Sequence, residues 1–395
     1  MKEDVDLIIL GGGCAGLSLA MRLAKLGEKA PKTIILESRS EYIHDRTWCF
    51  WGHPEAEMQD LVSHRWNEFS ISTAFDRIVR HCPASPYQMI PSDAFYSAAQ
   101  ETIARAPAIE LLLGNNVTTE PSKSGGLWCL KSEKGVHSAK WIVDTRPVRA
   151  HGPTQPLLWQ SFLGREIETE VDCFDPGCAE LMNFTLSTPS QILFLYLLPF
   201  ARNRALVEAT VFDPNPLNPL ELESPLQSLL EQRLGGGLFS VQRSEHGILP
   251  MGHPPATARG DAGSVRAGLT AGGARPSTGY AFQRIQRWAR ECAAAMGRGG
   301  APLGHEADRI IPRAMDALFL RVLRARPELA PELFLSLFRK VDPERIARFM
   351  SDRGRLSDCA AVIAALPLAP FLRELPVALL GNRGARGSAT GEKAR

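Results

Sequence analysis

The residues best placed to do chemistry in this 395-residue chain are two carboxylates and a set of glycines. Glu208 sits within Arg204-Ala-Leu-Val-Glu-Ala-Thr-Val-Phe212, an otherwise apolar run. A carboxyl group walled by apolar side chains is hard to ionise, so it holds a proton at neutral pH and can deliver it. The competing reading is a structural carboxylate paired with Arg202 or Arg204, and the residues alone favour neither. Gly11, Gly13 and Gly16 form a Gly-x-Gly-x-x-Gly turn between the apolar run Asp4 to Leu10 and a segment with Leu17, Ala20, Leu23 and Ala24 at helical spacing. Gly11 permits the tight turn, Gly13 lets the backbone approach a pyrophosphate, and Gly16 lets helix and strand pack closely. The free amides at the helix start then face the phosphates. Glu37 lies 21 residues after Gly16, at the end of Thr33-Ile-Ile-Leu-Glu37, where a carboxylate accepts from a ribose hydroxyl. The expectation is a dinucleotide site.

The elements that must position these residues are legible in outline. Strands are expected at 4–10 and 33–37, with the helix between them. The segment Arg46-Thr-Trp-Cys-Phe-Trp51 reads as a loop, either a hydrophobic plug or a wall whose Arg46 reaches the cofactor. Short strands at 69–72 and 76–80 precede a helix capped by Ser92 and running to about Arg105. Strands at 110–113, 127–130 and 140–144 follow, the last returning to the first sheet. A hairpin layer with a returning strand is how FAD domains elaborate a doubly wound sheet. From 155 to 250 the pattern is antiparallel, with strands at 160–163, 166–171, 182–187, 192–198 and 204–212, then a helix at 220–234. Alternation puts Leu206, Glu208, Thr210 and Phe212 on one face of the last strand. A second glycine-rich turn, Ala267 to Tyr280 with Gly279 near its end, opens a helix from Ala281 to about Met296 and is placed to aim amides at a flavin.

The fold class that results is α/β: a doubly wound FAD-binding domain, an antiparallel-sheet substrate domain and a helical C-terminal region. The division is 1–75, 100–155 and 262–300 for the FAD-binding domain, 76–99 and 156–261 for the substrate sheet, 301–380 for the helices, and 381–395 for a disordered polar tail. With 45 basic and 43 acidic residues the net charge is +2, which points away from nucleic acid. The eight cysteines show no metal spacing, so no metal is expected and the thiols read as reduced and cytosolic. No run of 18 apolar residues occurs, so a cytoplasmic protein that does not span a membrane is expected. Apolar positions 318, 319, 322, 323, 333, 334, 337 and 338 among many arginines suit either a peripheral membrane face or a core-packing layer.

Several motifs together resemble the flavoprotein lycopene cyclases. They are the Gly11–Gly16 turn, Asp45-Arg-Thr-Trp-Cys-Phe-Trp51, Tyr196-Leu-Leu-Pro-Phe200 with Arg204-Ala-Leu-Val-Glu-Ala-Thr210, Arg275-Pro-Ser-Thr-Gly-Tyr280, and the closing Arg348-Phe-Met and Ala365 to Arg373. The likeness covers roughly residues 4 to 375. It implies an aromatic-hydroxylase-like fold, an FAD site, NAD(P)H as the flavin's reductant, and cyclisation of the ends of lycopene or another acyclic carotenoid into β-ionone rings without net redox change; with no His or Cys in a recognisable flavin-attachment motif, the FAD is expected to be noncovalent. It also implies that Glu208 is the essential glutamate, with the proton coming from Glu208 or from the flavin. Ala209 stands where many members carry a second acid, and Pro147 where a glycine often follows the arginine. Rival readings on the same scaffold are an FAD-dependent monooxygenase or prenyl reductase acting on an isoprenoid, and a flavin-dependent electron carrier or binding protein.

Overall fold

The computed structural model describes residues 4–147, 156–252 and 263–375. The chain opens with β1 (Asp4–Leu10), α1 (Cys14–Ala24) and β2 (Thr33–Leu36). Then come β3 (Thr47–Trp51), β4 (His64–Trp66), β5 (Glu68–Ser72), β6 (Arg77–His81), β7 (Tyr87–Pro91) and α2 (Ser92–Ala104). β8 (Ile109–Leu112), β9 (Ser122–Ser124), β10 (Leu127–Ser132) and β11 (Gly135–Asp144) close the first half. The second half begins with β12 (Leu158–Thr169), β13 (Cys178–Asn183), β14 (Ile192–Pro199), β15 (Arg204–Asp213), α3 (Pro219–Leu234) and β16 (Phe239–Met251). It ends with β17 (Ser264–Arg266), α4 (Phe282–Gly297), α5 (Ile310–Ala325), α6 (Ala330–Lys340), α7 (Pro343–Met350) and α8 (Leu356–Ala365).

Among the described residues these strands form two larger sheets and a small one. The first runs β8-β2-β1-β11-β10-β9, with β17 also on β11. β1 is parallel to both neighbours, Leu10 lying opposite Leu36 and Asp144, and its apolar residues from Val5 to Leu10 are buried. A strand covered on both faces needs that unbroken apolar run. The second sheet runs β16-β12-β15-β14-β13-β5-β6 and the third β3-β7-β4.

The second sheet is covered differently on its two faces. Ala205, Val207, Ala209 and Val211 of β15 pack against Leu222, Leu226, Leu229 and Leu230 of α3. α3 is fixed at its start by an Asn218–Glu221 capping box and at its end by Gly235 at φ 58°. The opposite face, with Leu198, Leu206, Phe194 and Phe212, shares a core with Leu333, Phe334, Leu337 and Phe338 of α6.

Several details depart from the sequence reading. Residues 160–163 and 166–171 belong largely to one strand, β12, whose register against β16 shifts between Glu166 and Ile167. The loop expected at Arg46–Trp51 is mostly β3, paired with β7; its alternate side chains enter two different cores, Phe50 into that of the first sheet and Trp51 into that of the second. Ser92 does not cap α2. Its Oγ accepts from the backbone amides of Asp45 and Arg46, both at 3.0 Å. β5, inside the 1–75 segment, pairs with β13 of the second sheet, whereas α2 packs with α1 through Phe95, Tyr96 and Ala99. Of the two readings left open for the apolar stripes, the core-packing layer is the one found: Val322, Leu323, Leu333, Phe334, Leu337 and Phe338 are buried. The polar tail expected over 381–395 lies outside the described residues.

Candidate active site

The two glycine turns and the second sheet enclose a cavity of about 960 Å³. That is the upper end for a small-molecule site and leaves room for more than one occupant. Its lining includes Gly11, Gly13, Cys14, Glu37 and Arg46 from the first half of the chain, Thr278, Gly279 and Tyr280 from the second turn, and Glu208, Thr210, Tyr196, Phe162 and Phe194 from the second sheet.

The first turn has the shape a pyrophosphate needs. Gly11 has φ +93°, a conformation that side chains disfavour. A Cβ added to Gly13 would meet nothing within 4 Å, so the backbone there faces open space at the start of α1. A Cβ on Gly16 would lie 2.0 Å from the Gly11 carbonyl oxygen, so helix and turn could not close around any larger residue. Glu37 accepts from the Gly12 amide at 2.6 Å and from the Arg39 amide at 2.9 Å. Burial pushes its carboxyl up, but donation from Arg39 and Gly12 outweighs burial and holds it below the usual range. Arg46 lines the cavity's edge, its Nη1 donating to the Asp45 carbonyl at 2.7 Å. Asp144 is engaged by Arg146 at 2.8 Å.

The second turn is pinned from behind. Gly268 brings the chain close to Ala15 of α1, and Gly279, at φ +72°, lies beside Leu249 and Gln160 of the second sheet. Arg275 is fully buried: it pairs with Asp316 of α5 at 3.0 Å, donates to the Phe349 carbonyl and lies 4.1 Å from the Phe349 ring. The arginine of the Arg-Pro-Ser-Thr-Gly-Tyr motif thus ties the turn to the C-terminal helices and does not enter the cavity.

Glu208 lines the cavity from the second sheet. Tyr196, Glu208, Gly164 and Glu245 stand directly opposite one another on β14, β15, β12 and β16, and directly paired residues share a face. Glu208 is 7% exposed, and the Thr210 hydroxyl donates to its Oε1 at 2.6 Å. No cation pairs with it among the described residues. Arg204, the candidate partner, instead donates to Glu166 Oε1 at 2.6 Å, and Arg243 holds Glu166 Oε2 at 2.8 Å. Burial, reinforced by the charge of Glu245 and opposed by the Thr210 bond, pushes the Glu208 carboxyl up to about 8. At neutral pH Glu208 is a carboxylic acid.

Aromatic groups complete the walls. The Tyr87 and Tyr196 hydroxyls are 3.0 Å apart and Tyr280 donates to Tyr87 at 3.2 Å. Burial raises all three phenols, Tyr280 to about 12, so they stay neutral donors. Trp51, Phe194, Phe212, Phe334 and Phe338 add apolar faces. The arrangement joins a dinucleotide-shaped turn to a buried carboxyl in an aromatic chamber.

Sequence reasoning placed Gly11, Gly13, Glu37, Arg46, Gly279 and Glu208, and the structure brings all six to one cavity, with Gly16 beneath the turn. It missed Glu245, Gly164, Tyr87 and the Thr47–Arg243 pair. Thr47 lay within a motif already singled out; Glu245 lay in a segment, Phe239 to Met251, whose polar residues hid a strand.

Residues 6–375 match the family described as lycopene cyclase protein. A lycopene beta-cyclase from Paracoccus sp. (strain N81106 / MBIC 01143) is 31% identical over 233 residues, covering 55% of this chain and 60% of that protein, so the match spans less than two thirds of the relative. Among solved structures, a geranylgeranyl bacteriochlorophyll reductase-like protein from Thermoplasma acidophilum superposes with a TM-score of 0.61 at 14% identity, covering 96% of this chain and all of that one. The flavin-dependent monooxygenase PieE, solved with FAD and substrate, gives 0.62 at 13% identity, covering 92% of this chain and 72% of that one. At these identities the likeness is one of fold.

Proposed function

The chain belongs to the lycopene cyclase family, and from that premise we propose that it closes the acyclic ends of lycopene, or of a related acyclic carotenoid, into β-ionone rings. The observation that carries the reading is Glu208: a buried carboxyl that no cation pairs with among the described residues, in an aromatic chamber continuous with a dinucleotide-shaped turn, where burial raises its pKa.

Ring closure begins when an acid gives a proton to C2 of the end group, leaving a tertiary cation at C1. The C5=C6 bond attacks C1, and loss of a proton from C6 restores neutrality, so atoms and electrons balance with no oxidant or reductant consumed. Glu208 gives the first proton, and its carboxylate is then the base that takes the last one back. An alkene is a feeble base, so the acid must be undissociated and water must be kept from the cation. Burial of Glu208 meets the first need; the walls of Trp51, Phe194 and Phe212 meet the second and offer π faces to the positive charge.

The residues fit FAD. Gly11, Gly13 and Gly16 with the start of α1 would hold its pyrophosphate, Glu37 its ribose, and Arg46 and the Gly279 turn the flavin end. When bound and reduced by NAD(P)H, the flavin supplies negative charge that stabilises a carbocation. A Gly13→Val side chain would project into the open space before the turn, so the variant is expected to fold and purify without flavin. Yellow, fully loaded Gly13→Val protein would contradict the assignment.

The carotenoid is insoluble, and we place the enzyme in the cytoplasm on a membrane surface. Among the described residues no single helix is long and apolar enough to cross a membrane. Leu356 is 72% exposed, and Leu368 and Leu372 are each 61% exposed, on a helical pair bent by 107°. Exposed leucines beside Arg353, Arg355 and Arg373 suit an interfacial contact. Flotation with anionic liposomes tests this: the protein should rise with the vesicles at low salt. For the reaction itself, reduced enzyme is incubated with lycopene in liposomes. An isomeric, ring-closed product is expected; an oxygenated or hydrogenated product would instead identify a monooxygenase or reductase.

A further inference from the structure

Glu245 lies outside every motif that marks the family resemblance, yet it is among the most constrained carboxylates in the molecule. It is 5% exposed and lines the same cavity as Glu208. Its Oε2 accepts from the Thr47 hydroxyl at 2.6 Å and pairs with Arg243 Nη1, while Arg243 Nη2 donates to the same Thr47 oxygen at 2.6 Å. These bonds fix Glu245 as an anion of defined position. Between it and Glu208 stands Gly164, opposite both. A Cβ built on Gly164 would lie 3.4 Å from Glu245 Cγ and 3.5 Å from Glu208 Cβ, so the two glutamates flank the one place on this rung that holds no side chain.

We propose that Glu245 is a positioning carboxylate for Glu208: clasped by Thr47 and Arg243 and facing Glu208 across the vacant side-chain position of Gly164, it sets through its charge whether Glu208 carries the proton that ring closure needs. The inference rests on Glu208 being the acid. Two like charges in one low-dielectric chamber disfavour each other, so a fixed anion favours the protonated form of its neighbour. The other groups around Glu208 do not supply that influence. Tyr196, Tyr87 and Cys49 are neutral, burial raising each, and His44 is held below its usual range by burial and by Arg243. Glu166 is bridged by Arg204 and Arg243 together.

The test is the pH profile of turnover in flavin-loaded enzyme. Protonated Glu208 is the active form, so activity falls as pH rises through its pKa. Glu245→Gln removes the anion and is expected to move that alkaline limb down by about one pH unit, while Glu245→Asp restores it. Thr47→Val keeps the charge on Glu245 but removes a donor that offsets it, and is expected to move the limb up. A limb that stays in place in loaded Glu245→Gln overturns the proposal, as does loaded protein inactive at every pH, which would make Glu245 a reacting group. If Glu245→Gln does not fold, Thr47→Val decides: an upward shift supports the proposal and an unmoved limb overturns it. Glu208→Gln is run in parallel. If it retains turnover, the reading of Glu208 fails; if it is inactive and the limb is unmoved in Glu245→Gln, the fault lies with Glu245.

Discussion

Glu166 and Glu208 lie on the same sheet face, their rungs two residues apart, since Glu166 stands opposite Leu206 and Glu208 opposite Gly164. Both are nearly inaccessible, at 2% and 7%. Glu166 has two arginines, one on each oxygen, and Glu208 has a hydroxyl. A buried carboxylate bridged by two guanidinium groups has its charge compensated; one with none avoids its charge by keeping its proton. The same residue type at the same depth is therefore a strut in one place and an acid in the other. What separates them is where Arg204 and Arg243 point.

The contrast can be broken most forcefully at Glu166. Glu166→Gln leaves Arg243 buried with one anion fewer, and should cost about 3–5 kcal/mol, read as a large drop in the denaturant midpoint. Equal stability in that variant would mean that the arginine bridge is slack. Next in size is the pH dependence of stability. The Glu208 carboxyl is raised from its ordinary 4.5 to about 8 in the folded state, so the folded protein binds the extra proton. That contribution is full below about pH 4.5 and is lost as pH rises through about 8, amounting to at most roughly 5 kcal/mol. Glu208→Gln should flatten this slope; an unchanged slope would mean that Glu208 ionises freely in the fold.

Thr210→Val sharpens the comparison, because it removes the hydroxyl that donates to Glu208. Stability should fall by about 1 kcal/mol, and the alkaline limb of activity should move up, since the hydroxyl favours the ionised form. Smallest of all is Arg204→Gln. Arg204 is half exposed and Glu166 keeps Arg243, so the cost should stay below about 1 kcal/mol with turnover unchanged. Loss of turnover there would tie Arg204 to Glu208 after all.

Much of the fold was legible where it is local. The run from Asp4 through the glycine turn into α1 carries its own apolar pattern and special backbone positions, and β15 alternates cleanly because one of its faces meets α3. The parts that were not legible are where the cavity replaces the core. In β16, Arg243, Glu245 and Gly247 belong to the face that lines the cavity, so the period-two signal of a buried strand is absent. Glu245 was hidden with it. The arginine partner of Glu208 was undecidable for a different reason: Arg204 lies on the same strand, but its recipient, Glu166, is 38 residues away and becomes a neighbour through sheet pairing. The apolar stripes of α5 and α6 fit membrane or core equally until the second sheet is seen to pack on them.

The central claim is that an unpaired, buried Glu208 supplies the proton. The most direct test measures β-ring formation, flavin occupancy and melting temperature together on Glu208→Gln. The amide keeps the shape and cannot donate a carboxylic proton, so turnover should fall about 10²–10⁴-fold in protein that retains its flavin and melts no lower than the parent. Near-parental turnover in folded, flavin-loaded Glu208→Gln would contradict it.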